Sequence, residues 1–78
     1  MSKNEKLALA IRNSPKTVRF DDACRMAKLL GFRHSHTKGS HKMYARLGES
    51  LMLNFQNRDG YIYPYQVSQL IEMMDKYE

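Results

Sequence analysis

The stretch Lys38-Gly39-Ser40-His41-Lys42-Met43-Tyr44-Ala45-Arg46 gathers the residue types that phosphodiester chemistry uses. An imidazole titrates near neutrality, so His41 can both accept and return a proton. Gly39 allows the backbone to come close to a ligand, and the amides of Gly39-Ser40 with the Ser40 hydroxyl suit phosphate oxygens. Lys38 and Lys42 supply charge that attracts a phosphodiester and stabilises the extra negative charge of its transition state. Tyr44 and Arg46 alternate with Lys42, a spacing for base stacking and phosphate contact on a sheet face. RNA carries its own nucleophile, the 2′-hydroxyl, so cleavage by this set needs proton transfer and charge stabilisation but no metal. The same residues also make an ordinary basic hairpin with a solvent-facing histidine, and the motif alone leaves both readings open.

Metal chemistry is the weaker use of these histidines. His34, His36 and His41 sit at strand spacing, but a zinc site takes three or four ligands with a second shell. No cysteine or carboxylate lies within the hairpin to complete one. The expectation is no metal and no other cofactor, with His34 and His36 as strand-surface residues that assist RNA contact.

Seventy-eight residues make one domain, 1–78, with a thin core. Hydrophobic content of 42% argues against disorder. Cys24 is the single cysteine, which rules out an internal disulfide and fits a reducing cytoplasm. The N-terminus lacks the apolar run of a secretory signal, and no segment approaches the roughly 20 apolar residues that span a bilayer. A soluble, cytoplasmic protein without membrane contact is expected. The net charge of +5 is unevenly placed. From Arg33 to Arg46 the chain carries four cations, all three histidines and no acid, whereas Glu72, Asp75 and Glu78 face Lys76 alone after Pro64. A local excess of this kind suits a polyanionic partner such as RNA.

The elements that must position the motif follow from periodicity. Lys3 to Asn13 reads as a helix burying Leu7, Ala10 and Ile11, ended by Ser14-Pro15. Asp21 to Leu30 reads as a second helix with Phe20, Ala23, Cys24, Ala27 and Leu30 inward and Gly31 as its stop. Alternation then predicts strands over Phe32–Thr37, Lys42–Leu47 and Leu51–Gln56, and Pro64 opens a last helix burying Val67, Leu70, Ile71 and Met74. The order α-α-β-β-β-α predicts an α+β domain: a three-stranded antiparallel sheet with helices packed on one face. In the second strand, Met43, Ala45 and Leu47 are expected inward and Lys42, Tyr44 and Arg46 outward. That parity puts His41 on the core side unless Gly39-Ser40 inserts a bulge or His41 precedes the strand. Tyr61, Tyr63 and Tyr65 recur at period two, as an extended segment or an interface rim.

Gly31-Phe32, a short basic strand, Lys38-Gly39-Ser40-His41 and Tyr44 three residues later resemble the HicA toxin family of bacterial and archaeal toxin–antitoxin systems. The order of elements matches from about Phe20 to Tyr77, and Leu53-Asn54-Phe55-Gln56 with Pro64-Tyr65-Gln66-Val67 is similar to one branch of that family. The resemblance implies a double-stranded-RNA-binding-like fold and an endoribonuclease that cuts mRNA. It implies His41 as the catalytic residue, with Gly39 and Ser40 in support, and a HicB-type antitoxin as partner. Two departures stand out. Many family members have a histidine shortly after the later proline, where this chain has Tyr65-Gln66. Residues 1–19 also form an N-terminal helical extension beyond the minimal family form. Competing readings are a non-catalytic RNA-binding module of the same fold and a DNA-binding helix pair over residues 3–30. Asp21 and Asp22 disfavour the second, because they would repel phosphates.

Overall fold

Gly31-Phe32 is where helix gives way to sheet, and a computed structural model describing residues 2–78 accounts for it. Helix α2 (Phe20–Leu29) ends at Leu30, and Gly31 takes φ +90°, a left-handed conformation that penalises any side chain. The Gly31 amide donates to Lys28 O and the Phe32 amide to Ala27 O, the paired bonds of a Schellman stop. Phe32 then turns into the core, 1% exposed.

Helix α1 (Lys3–Asn13) is capped by Ser2, whose hydroxyl accepts the Glu5 amide proton at 3.1 Å. It buries Leu7, Ala8 and Ile11; Ala8 takes the inward place that the spacing assigned to Ala10, which is exposed. Arg12 bridges to Asp75 and Glu78 at 2.7 and 3.2 Å, tying α1 to the end of helix α3 (Pro64–Tyr77). The segment read as an extension thus shares the one core with α2 and α3.

The sheet is antiparallel, in the order β1 (Arg33–Lys38), β2 (His41–Ala45) and β3 (Leu53–Gln56). Helices cover one face. On that side Tyr44, Leu53 and Phe55 are fully buried with Ala23, Ala27, Val67, Leu70 and Met74. Tyr44 reverses the expected parity of β2: it points inward, while Leu47 lies beyond the strand at 97% exposure. Register decides the reversal, since Tyr44 pairs with the buried Leu53 and its ring lies 5.8 Å from that of Phe55. A buried tyrosine ring is worth about 2–3 kcal/mol, comparable with the methionine that the opposite parity would bury.

Two devices set the geometry of the open face. Lys38 pairs directly with His41, so Gly39-Ser40 is a two-residue hairpin loop with φ +61° at Gly39 alone. That is the pattern of a type II′ turn, which takes glycine first. In β1 the register shifts between His34 and His36, a bulge that sends these two histidines to opposite faces. No described helix is long and apolar enough to cross a membrane.

Candidate functional site

With Tyr44 inward, alternation turns His41, Met43 and Ala45 to the open face. Cross-strand partners share a face, so Asn54 and Gln56 of β3 and Arg33, His36 and Lys38 of β1 join them. No acid is among these eight residues. A shallow depression is lined by His36, Lys38, Gly39, His41, Met43 and Asn54. The direct pairing of Lys38 with His41 brings the cation across from the imidazole.

His41 is half-buried, and its Nδ1 lies 3.0 Å from Asn54 Oδ1. An amide oxygen only accepts, so the neutral ring carries its proton on Nδ1 and donates it to Asn54. Nε2 is left with its lone pair free. Asn54 is held in turn by β3, where Leu53 and Phe55 on either side are buried anchors. Nothing in the motif itself pointed to Asn54. In β3 the buried Leu53 and Phe55 put Asn54 on the outer face, and the register with Met43 brings it beside His41.

The turn is open. At Gly39 no atom lies within 4 Å of the place a Cβ would fill, and Ser40 is exposed. His36, read from sequence as an auxiliary surface residue, shares the depression, and its Nδ1 lies 3.1 Å from Ser35 Oγ. His34 belongs to the other side of the strand, with Nε2 2.9 Å from Thr37 Oγ1 and its ring edge-on to Tyr44. Among the described residues no group of three or more His, Cys, Asp and Glu side chains is placed to hold a metal ion.

Three residues expected on the RNA-facing side are elsewhere. Tyr44 is 0% exposed, so its ring cannot stack on a base. Among the described residues its hydroxyl has no hydrogen-bond partner, and burial, with the Cys24 thiol beside it, raises its pKa. Burial likewise pushes the Cys24 thiol up. Arg46 turns back over the end of α2: Nε donates to Leu30 O at 2.9 Å, and the guanidinium lies 3.8 Å from the Tyr77 ring centre. It packs so closely over Gly31 that a Cβ there would meet Nε at 3.0 Å. Its fork is therefore spent on the fold. Lys42 pairs with Phe55 and Thr37, which puts it on the helix side, with Nζ 5.9 Å from the Tyr44 ring centre. Lys38, Gly39, Ser40 and His41 remain together; Lys42, Tyr44 and Arg46 do not join them.

Two residues after Pro64, Gln66 is fully buried and makes a junction. Its Oε1 accepts the amide protons of Gln56 and Tyr63 at 3.1 Å each, and its Nε2 donates to the Tyr65 hydroxyl at 3.2 Å. This ties the end of β3, opposite His41, to the start of α3. Tyr63 and Tyr65 stack at 6.0 Å, with the Arg58 guanidinium 4.7 Å from the Tyr63 ring centre. Tyr61 and Tyr63 thus lie on the approach to α3, with Ile62 inward between them, and Tyr65 is in the first turn of the helix. No protein-family model, curated protein or solved structure matches the chain.

Proposed function

We propose that this protein is an endoribonuclease of the HicA kind, the toxin of a toxin–antitoxin pair, acting on mRNA in the cytoplasm through His41. The observation that carries the reading is the His41–Asn54 bond on an acid-free sheet face, which leaves Nε2 free beside Lys38 and the Gly39-Ser40 turn. His41 Nε2 takes the proton of an RNA 2′-hydroxyl. The resulting oxygen attacks the adjacent phosphorus, the O2′–P bond forms, and the P–O5′ bond breaks. Lys38, with the turn amides and the Ser40 hydroxyl, holds the non-bridging oxygens as charge builds on them. The products are a 2′,3′-cyclic phosphate and a 5′-hydroxyl, and no step requires a metal.

The arrangement of elements is consistent with a double-stranded-RNA-binding-like fold preceded by an additional helix. An antitoxin of the HicB type would block this activity by covering the open face, and acidic groups on it would compete with RNA for Lys38 and Arg33.

The test compares wild type with His41→Ala on labelled single-stranded RNA in EDTA, with cleavage and binding scored separately. A variant that binds but does not cut supports the reading. A wild type that binds without cutting makes this a binding module, and a 5′-phosphate product removes the cyclising mechanism.

A further inference from the structure

Breaking the P–O5′ bond leaves an alkoxide that needs a proton, and the reaction above names only the group that removes one. A second imidazole lies in the same depression. His36 and His41 are on adjacent strands and on the same face: His41 pairs with Lys38, and His36 is two residues back along β1, pairing with Met43. Such a diagonal across an antiparallel pair spans about 7–8 Å between backbones, within reach of two ring side chains converging on one tetrahedral group. Lys38 lies between His36 and the turn on the same face, so a phosphate held there is flanked by both rings.

We infer that His36 is the general acid that protonates the departing 5′-oxygen of a single-stranded RNA, opposite His41 as the base. This rests on the ribonuclease reading of the open face and completes its proton balance. The two rings differ in their fixed contacts in the way the two tasks require. His41 Nδ1–H is committed to Asn54, which leaves Nε2 as an acceptor. His36 Nδ1 is beside the Ser35 hydroxyl, which accepts from the ring when it is protonated, so Nε2–H is free to give its proton away. The β1 bulge is what makes the pair specific: it removes His34 to the helix side and leaves His36 as the one other histidine on the open face. In the reaction His41 gains the 2′-hydroxyl proton and His36 loses one to O5′. Exchange with water returns each ring to its starting state.

The experiment uses two substrates with the full chain. One is a short RNA, whose leaving group is a ribose 5′-oxygen. The other is a uridine 3′-(4-nitrophenyl) phosphate, whose leaving group departs without a proton. His36→Ala is expected to cut RNA about 10²- to 10⁴-fold more slowly and the aryl ester at close to the wild-type rate. His41→Ala is expected to fail on both. Equal loss on both substrates would make His36 a binding or structural residue and overturn the inference, as would unchanged cleavage of RNA. A wild type that cuts neither substrate overturns the ribonuclease reading and the inference with it. His36 is exposed on an edge strand, so its replacement leaves the core intact, which matching thermal melts verify.

Discussion

At the scale of single residues, the site depends on which nitrogen of His41 carries the proton, and Asn54 decides that. Replacing it by alanine removes one hydrogen bond and the preference for the Nδ1–H tautomer. The expected result is a fall in kcat of about 3- to 10-fold with KM unchanged, the loss that one modest hydrogen bond represents. A change confined to KM would assign Asn54 to substrate binding instead. Tyr44 makes the opposite case. Among the described residues its hydroxyl is buried without a hydrogen-bond partner, so Tyr44→Phe removes a desolvated group and keeps the ring. The variant is expected to gain up to about 1 kcal/mol in urea unfolding and to bind RNA as wild type does. Weakened RNA binding would put the phenol back on the working face. Tyr44 was illegible in the sequence for a physical reason: tyrosine suits either side of a sheet. Met43, Ala45 and Leu47 offered an apolar alternation that the pairing of Tyr44 with Leu53 and its contact with Phe55 override. The GSH motif was legible because its chemistry is local to the turn.

At the scale of elements, the helices were legible to within a residue or two because their signals are covalent neighbours. Ser14-Pro15 closes α1, Gly31 closes α2, and Pro64 opens α3. The bulge in β1 was not legible, since it depends on how β2 is paired, and with it went the division of the histidines between faces. The β2–β3 connection holds a structural anchor that no strand or helix signal marks. Glu49 accepts from Lys76 Nζ at 2.7 Å, from the Tyr77 hydroxyl, and from the Leu51 amide at 2.9 Å, fastening the loop to the end of α3. These donors, Lys76 first, then Tyr77 and the Leu51 amide, hold the Glu49 carboxyl down to about 2 from its usual 4.5. A depressed carboxylate stabilises the fold above its unfolded pKa and loses that contribution as pH falls through the folded one. Glu49→Gln is therefore expected to melt lower than wild type above pH 4.5, with the gap closing between 4.5 and about 2. Melting curves of the two proteins across that range test it; a gap constant with pH would show that the ionised form contributes nothing.

At the scale of the whole molecule, the net charge of +5 is a local field with a direction. The ion pairs among the described residues use Arg12 and Lys76 and absorb Glu49, Asp75 and Glu78 on the helical side. The open sheet face keeps Arg33 and Lys38 with no acid among its eight residues. Strand β1 is exposed along its whole length and carries both cations. An RNA strand laid across this face would displace counterions from two phosphates. Single-strand binding then weakens with salt along a log–log slope of roughly −1.4, and Arg33→Ala or Lys38→Ala each reduces its magnitude by about 0.7. Arg46→Ala is expected to leave the slope alone, because its guanidinium is engaged with Leu30 O and Tyr77, and to lower thermal stability instead. Fluorescence titrations of a labelled single strand at several salt concentrations separate the two behaviours. A slope near zero in the wild type would mean that the field does not meet a polyanion on this face, and it would remove the electrostatic half of the proposed site while leaving His41 and Asn54 in place.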